Sequence, residues 1–270
     1  MRRIICYIVY GNDDDYYNST KFSILTLLNY THNTDIEIVV LTSNVDQFKQ
    51  YPVTLQQITD QQKKQWSLDH QYHFRIKNLG LQNIIKSLHL SIDDKILFFD
   101  TDIYFKNNPL KLFDLITEKQ VLLYKNEGRI CDKKRFKYYK NNLQDKDCFI
   151  SQNAQMWGSA VIGITASEDY LIKEADQLML SLVDKLDIKQ AHTIEQLSLA
   201  ETLRKKFEIV EGVKHVNNFS TSKRKDYAMP IIKKLLKENK LLNIESLAKK
   251  ALKIKINRPI LQIIKDKIYD

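Results

Sequence analysis

The stretch DDKILFFDTDIYF, residues 93–105, decides the reading of this chain. Asp93-Asp94 turns the chain into Lys95, and four consecutive apolar residues follow, Ile96 to Phe99. A short continuous apolar run bounded by a turn is the pattern of a strand covered on both faces. It runs directly into Asp100-Thr101-Asp102, after which Ile103-Tyr104-Phe105 is apolar again. Two carboxylates at the carboxyl end of a buried strand stand where open α/β sheets bind their ligands.

Upstream, residues 3–10 (RIICYIVY) predict a strand ending at the turn residue Gly11. Phe22, Leu25 and Leu28 predict a helix from Asn18 to Tyr30, with Asn18 or Ser19 as its N-cap. Residues 36–41 (IEIVVL) predict a second buried strand, and Val53 to Ile58 a short one. Ile76, Leu79, Ile84 and Leu88 predict a helix over Phe74 to Leu90. The order strand, helix, strand, strand, helix, strand argues for an α/β fold with a mostly parallel central sheet flanked by helices. Gly11-Asn12-Asp13 and Asp100-Thr101-Asp102 then open onto one cleft.

Downstream, a short helix is expected over Leu110 to Ile116 and strands over Val121 to Tyr124 and 159–164. Residues 125–148, with Lys133, Lys134, Arg135, Lys137 and Lys140, read as a surface loop over the cleft. Ser167 to Leu186 and Thr193 to Lys205 read as helices, and Phe207 to Val216 as extended. From Lys223 onward the pattern is helical and basic, interrupted at Pro230 and Pro259. The organisation is one domain over 1–226 and a basic helical extension over 227–270.

Three Asp-x-Asp pairs occur, Asp13 to Asp15, Asp100 to Asp102 and Asp145 to Asp147, and about one is expected by chance. The first is a turn and the third lies in a polar stretch. Only the second is embedded in apolar sequence. In an extended segment its two side chains point to one side, making a hard oxygen site suited to Mg²⁺ or Mn²⁺. The bland alternative is a carboxylate pair that merely ends a strand.

The 270 residues carry a formal net charge of +9, which favours anionic partners such as a diphosphate or an acidic membrane face. No zinc-finger, RRM or helix-turn-helix signature is present, so nucleic acid is not the expected partner. Cys6, Cys131 and Cys148 form no CxxC pair, and their odd number points to a reducing compartment. The first residues lack a small-residue cleavage site, and no apolar stretch approaches a membrane span. These features predict a cytoplasmic enzyme. The lysines of the tail (Lys249, Lys250, Lys253, Lys255, Lys265, Lys267, with Arg258) allow peripheral contact with the inner face of a membrane. The same amphipathic tail can instead pack on the domain.

The segment DKILFFDTDIYFKNNPLKLFD (94–114) resembles the DxD segment of GT-A fold glycosyltransferases, especially those near glycosyltransferase family 8. Four further segments follow the family's order: YHFRIKNLGL (72–81), WGSAVIGI (157–164), HTIEQLSLAETL (192–203) and KHVNNF (214–219). The resemblance covers residues 3 to 226 and implies a nucleotide-diphosphate sugar donor, most simply a UDP-sugar, and a saccharide or lipid-linked acceptor. It implies Asp100, Asp102 and His215 as ligands of Mn²⁺ or Mg²⁺. Asp100 and Thr101 would also meet the nucleotide. Arg75, with Lys77 as second choice, would contact the donor, and Glu195 and Gln196 would sit at the reacting centre. Tyr7 or Tyr10, together with Gly11 and Asn12, would flank the base. Gly158 and Ala160 stand where the family has Asn and Gly, and its Gly-x-x-Lys-Pro-Trp run is absent, leaving Lys223 and Arg224 as candidates to neutralise phosphate.

Residue by residue, plainer readings compete. Arg75 can form a surface ion pair, Glu195 can favour a helix N-terminus, and Trp157 can simply pack. Two other functions fit part of the pattern. A haloacid-dehalogenase-type phosphatase would use Asp100 as nucleophile, and a non-catalytic carbohydrate- or membrane-binding module would bind without turnover.

Overall fold

The computed structural model of the protein describes residues 1–143, 150, 153–257 and 259. The pair Asp145 to Asp147, Cys148, and the tail residues Arg258, Lys265 and Lys267 lie outside the described residues. In chain order the elements are β1 (Arg3–Val9), α1 (Asp14–Thr31), β2 (Ile36–Thr42), β3 (Thr54–Gln57), α2 (Asp60–Trp66), α3 (Arg75–Ser87), β4 (Lys95–Phe99) and β5 (Ile103–Tyr104). They continue with β6 (Gln120–Arg129), α4 (Lys137–Asn142), β7 (Gln155–Thr165), α5 (Asp169–Val183), α6 (Ile194–Leu203), β8 (Glu208–Glu211), β9 (Asn217–Asn218), α7 (Ser222–Glu238) and α8 (Ile244–Lys253).

Seven strands form one sheet in the order β3-β2-β1-β4-β7-β6-β8, and β5 pairs with β9 as a separate ribbon. All neighbours are parallel except those of β7, which runs antiparallel to both β4 and β6. The fold is thus α/β with a mostly parallel sheet, as the sequence predicts. The period of two along β1 splits its side chains between two cores. Ile5, Tyr7 and Val9 face the core with α1, α7 and α8. Ile4, Cys6 and Ile8 face the one with α3, α5 and α6.

Several boundaries differ from expectation for identifiable reasons. Helix α1 starts four residues before Asn18 because Asp13 is its N-cap, accepting a bond from the Asp15 N–H. Helix α2 was not anticipated. Its sequence signal is a capping box, in which the Thr59 hydroxyl accepts from Gln62 N and the Gln62 amide oxygen accepts from Thr59 N. Residues 125–143 are not a solvated loop: β6 continues to Arg129, and Phe136 and Tyr139 are buried in a third cluster with Tyr72 and Leu197. The basic side chains of this segment remain on its outer face.

Pro230 does not interrupt the C-terminal helix but lies inside α7. It faces solvent while Ala228, Met229, Ile232 and Leu235 are buried against the domain. Tertiary burial outweighs the lost backbone bond. Helix α7 spans residues 226 and 227. Helix α8 buries Leu247, Ala248 and Ala251, and Asn29 of α1 donates to the Ala248 carbonyl at 2.9 Å. The apolar face of α8 therefore packs, leaving Lys249, Lys250 and Lys253 outward. No described helix is long and apolar enough to cross a membrane.

Helix α3 lies close on the sheet because Gly80 has no side chain. A Cβ there would meet Ile8 Cδ1 at 2.6 Å and Leu41 Cδ2 at 3.1 Å. Gly80→Val is expected to destabilise the protein by about 1–3 kcal/mol through overpacking, read as a lower midpoint in urea. An unchanged midpoint would show that α3 can move away from β1 and β2 freely.

Candidate active site

The carboxyl ends of β1 and β4, the start of α3 and the start of α7 enclose a cleft of ≈ 610 Å³. Tyr10, Gly11, Lys77, Asp100, Thr101 and Asp102 line it. The carboxylates reach it by a route the sequence does not show. Asp100 extends the sheet, its N–H donating to the Ala160 carbonyl at 2.9 Å. Thr101 and Asp102 then form a turn, closed by Ile103 N donating to Asp100 O at 3.1 Å. The segment is a turn rather than an extended i, i+2 pair, and the turn places both carboxylates in the cleft. Pairing of β5 with β9 fixes it from the other side, with Phe219 N donating to Asp102 O at 3.2 Å.

Lys77 is the hub. Its ammonium lies 3.1 Å from Asp100 Oδ1 and 3.5 Å from Glu195 Oε1, and donates to Ser159 Oγ at 2.8 Å. Ser159 in turn donates to Glu195 Oε2 at 3.2 Å. The Lys77 side chain is 12% exposed and that of Glu195 1%. Burial by itself would lower the lysine's pKa, but the charges of Asp100 and Glu195 outweigh it, so Lys77 is held protonated. Burial pushes the Glu195 carboxyl up, and Lys77 offsets part of that.

Asp102 is less well matched than Glu195, whose Oε1 likewise accepts no hydrogen bond but lies 3.5 Å from the Lys77 ammonium. Its Oδ1 is buried and accepts no hydrogen bond. Burial first, then the charge of Asp100, pushes its pKa up to about 6, with Lys225 and Lys77 opposing. A buried carboxylate oxygen without a donor, beside a second carboxylate, fits a hard cation that completes its shell with diphosphate oxygens and water. Among the described residues no third His, Cys, Asp or Glu joins the pair.

His215 is not brought to the pair and does not line the cleft. It ends a 3-10 turn whose last N–H bonds back to Gly212 O, and it precedes the β9 residues that pair with β5. Arg75 turns away from the cleft into a two-bond pair with Asp176 of α5, both at 2.8 Å. The second choice, Lys77, is the residue that reaches the site. Tyr7 lies in the α1 core, its hydroxyl 2.9 Å from Ser23 Oγ. Asn12 is exposed outside the cleft lining, while Tyr10 and Gly11 are within it. Glu195 sits behind Lys77 rather than on the cleft wall, and its neighbour Gln196 is half-buried outside the lining. Lys223 lines a different cavity. Trp157 packs in the core.

Four contributors went unnoticed in the sequence. Lys225 lines the cleft, with its ammonium 5.0 Å from the centre of the Tyr16 ring, a cation–π contact. His73 and Phe74 form the wall from the start of α3, and the His73 carbonyl accepts from Tyr10 at 3.0 Å. Their signal was their position beside Lys77, one turn before the helix is established.

No protein-family model matches the sequence, and no curated protein matches it. Solved structures do resemble the fold. A galactosyltransferase, LgtC, in complex with donor and acceptor sugar analogs superposes with a TM-score of 0.51 at 11% identity, over 76% of this chain and 73% of that one. An active-site mutant of LgtC gives a TM-score of 0.51 at 13% identity, over 76% of this chain and 72% of that one. The chain thus shares its α/β fold, of the GT-A type, with these glycosyltransferases.

Proposed function

We propose that this protein is a metal-assisted glycosyltransferase that moves a sugar from a nucleotide-diphosphate sugar, a UDP-sugar in the simplest case, to a saccharide or lipid-linked acceptor. The observation that carries the reading is the unsatisfied Asp102 carboxylate facing Asp100 in the cleft at the end of β4. Asp100 and Asp102 would hold Mn²⁺ or Mg²⁺, which when bound neutralises the diphosphate and so eases departure of the nucleotide.

The chain's own residues do the rest. Ile8, Val9 and Phe98 give the cleft an apolar floor, and Tyr10 sets its edge, a surface suited to a base and ribose. Lys225 adds positive charge on the opposite wall. Lys77 fixes Asp100 in orientation, and Glu195 with Ser159 fixes Lys77. In the reaction the acceptor oxygen bonds to the anomeric carbon as the bond from that carbon to the diphosphate oxygen breaks. The acceptor proton is released and the electron pair leaves on the nucleoside diphosphate.

Calorimetric titration with UDP, with and without Mn²⁺, tests this. UDP is expected to bind at least about tenfold more tightly with Mn²⁺, a difference of ~1.4 kcal/mol. Asp102→Ala is expected to abolish that dependence while the protein stays folded. UDP binding in neither condition would remove the donor assignment. Metal-dependent binding without turnover of any UDP-sugar would instead favour a carbohydrate-binding module on this fold.

A further inference from the structure

The β5–β9 ribbon borders two clefts. Asp102, Ser220 and Lys225 line the first. Tyr104, Asn217, Asn218 and the residues Thr221 to Arg224 line a second, of ≈ 840 Å³, which Tyr124 and Asn257 complete. The chemistry of the second differs from that of the first. Among the described residues it presents no carboxylate: its lining consists of tyrosines, three asparagine amides, two hydroxyls, two cations and a few apolar groups.

The polar groups are held in place by one another. Asn218 Nδ2 donates to the Tyr124 hydroxyl at 2.6 Å, and its Oδ1 accepts from Arg224 Nη1 at 3.1 Å. The Tyr104 hydroxyl donates to Asn257 Oδ1. Arg224 is exposed, and among the described residues it pairs with no carboxylate. A guanidinium anchored on one nitrogen keeps its remaining donors for a planar anion. Amides and phenols suit sugar hydroxyls, and tyrosine faces suit the C–H side of a sugar ring.

The cleft also lies close to the reacting centre. The Tyr124 phenol is raised by burial, lowered by Arg224 and raised again by the charge of Asp102, so Tyr124 lies within electrostatic reach of the proposed metal site. Asn218 pairs directly with Ile103, the residue after Asp102.

We propose that this second cleft is the acceptor subsite, and that its ligand is a saccharide carrying an anionic group, phosphate or carboxylate, held by Arg224. The proposal rests on the glycosyltransferase reading above. It gives Arg224 a different role from neutralising the donor's phosphate: it faces the acceptor.

The test is calorimetric titration with a hexose 1-phosphate, a hexuronic acid and a neutral disaccharide, in UDP and Mn²⁺ and again without them. At least one anionic probe is expected to bind about tenfold more tightly than the neutral one, and Arg224→Gln is expected to erase that advantage. The same variant should leave UDP affinity within about twofold. Preference for the phosphate or for the uronate identifies which anion the acceptor carries. Asp102→Ala should lose the Mn²⁺-dependent gain in UDP affinity and keep the anionic saccharide. Equal binding of charged and neutral probes, no binding of either anionic probe, or indifference to Arg224→Gln would overturn the assignment. A protein that binds UDP but no anionic saccharide refutes this proposal alone. One that binds anionic saccharides but not UDP refutes the donor reading alone.

Discussion

Lys77→Met is expected to be the most damaging single substitution in the cleft, lowering stability by about 3–5 kcal/mol at pH 7.5. One ammonium serves two carboxylates here, Asp100 at 3.1 Å and Glu195 at 3.5 Å. Glu195 is 1% exposed. Removing the cation leaves a buried carboxylate with only the Ser159 hydroxyl as a partner. Breaking a buried pair from one side costs far more than the pair contributes net, because the remaining charge is stranded. The loss should depend on pH in a definite direction. Burial already raises the Glu195 pKa above its ordinary value, and without Lys77 it rises further. A carboxylate with a raised folded pKa destabilises fully above that pKa, and the deficit disappears as pH falls through it. The Lys77→Met deficit should therefore shrink between pH 7.5 and pH 5.

Adding Glu195→Gln should recover most of the stability while activity stays lost in both variants. The double-mutant cycle separates the two roles of Lys77, since stability returns when the stranded charge is removed and catalysis does not. Denaturant midpoints of the four proteins at two pH values are the measurement. A Lys77→Met protein as stable as the parent would mean that Glu195 is solvated or already neutral, and the hub would lose its structural meaning.

What the sequence could convey about this site follows from periodicity. The strands β1, β2 and β4 were legible because continuous apolar runs in a parallel sheet admit few other readings, and the DxD segment was legible because it interrupts such a run. Which of two nearby cations enters the cleft was not. Arg75 and Lys77 are two positions apart on α3, and so are Lys223 and Lys225 on α7. At about 100° per residue, such pairs point about 160° apart, so only one of each can face the cleft. The rotation of the helix decides which, and packing sets it: Gly80 seats α3 on Ile8 and Leu41. The same logic sends Tyr7 into the core. It shares a face of β1 with Ile5 and Val9, whereas Tyr10 lies past the strand end, where the chain turns to the cleft. His215 lies outside the cleft lining for a different reason. Its place was set by the order of segments, and β9, the element that approaches Asp102, begins two residues later.

Asp102→Asn should make the protein more stable and less functional at once. The Asp102 carboxylate is buried, lacks a donor for Oδ1 and faces the charge of Asp100, and these effects raise its pKa from 3.8 to about 6. At 1.36 kcal/mol per unit, and discounting for the opposing lysines and for the amide's own unmet hydrogen bonds, the substitution should add about 1–2 kcal/mol. In a chain of this size that corresponds to a rise of roughly 2–6 °C in Tm. The sign follows from proton counts. Between pH 3.8 and about 6 the folded protein holds more protons at this site than the unfolded chain, so the parent loses stability as pH rises through that window. The advantage of the variant should be complete above pH 6 and vanish near pH 4. Saturating UDP with Mn²⁺ should reverse the order. A ligand at 100 times its Kd adds about 2.7 kcal/mol to the form that binds it, and the variant, without the metal-dependent gain in affinity, is expected to be stabilised correspondingly less. Thermal melts of both proteins, at pH 7.5 and pH 4 and with and without UDP and Mn²⁺, would show the two curves exchange places. If the variant is less stable in every condition, the Asp102 carboxylate has a hydrogen-bonding role in the free protein, and its strain cannot be the sign of a cation site.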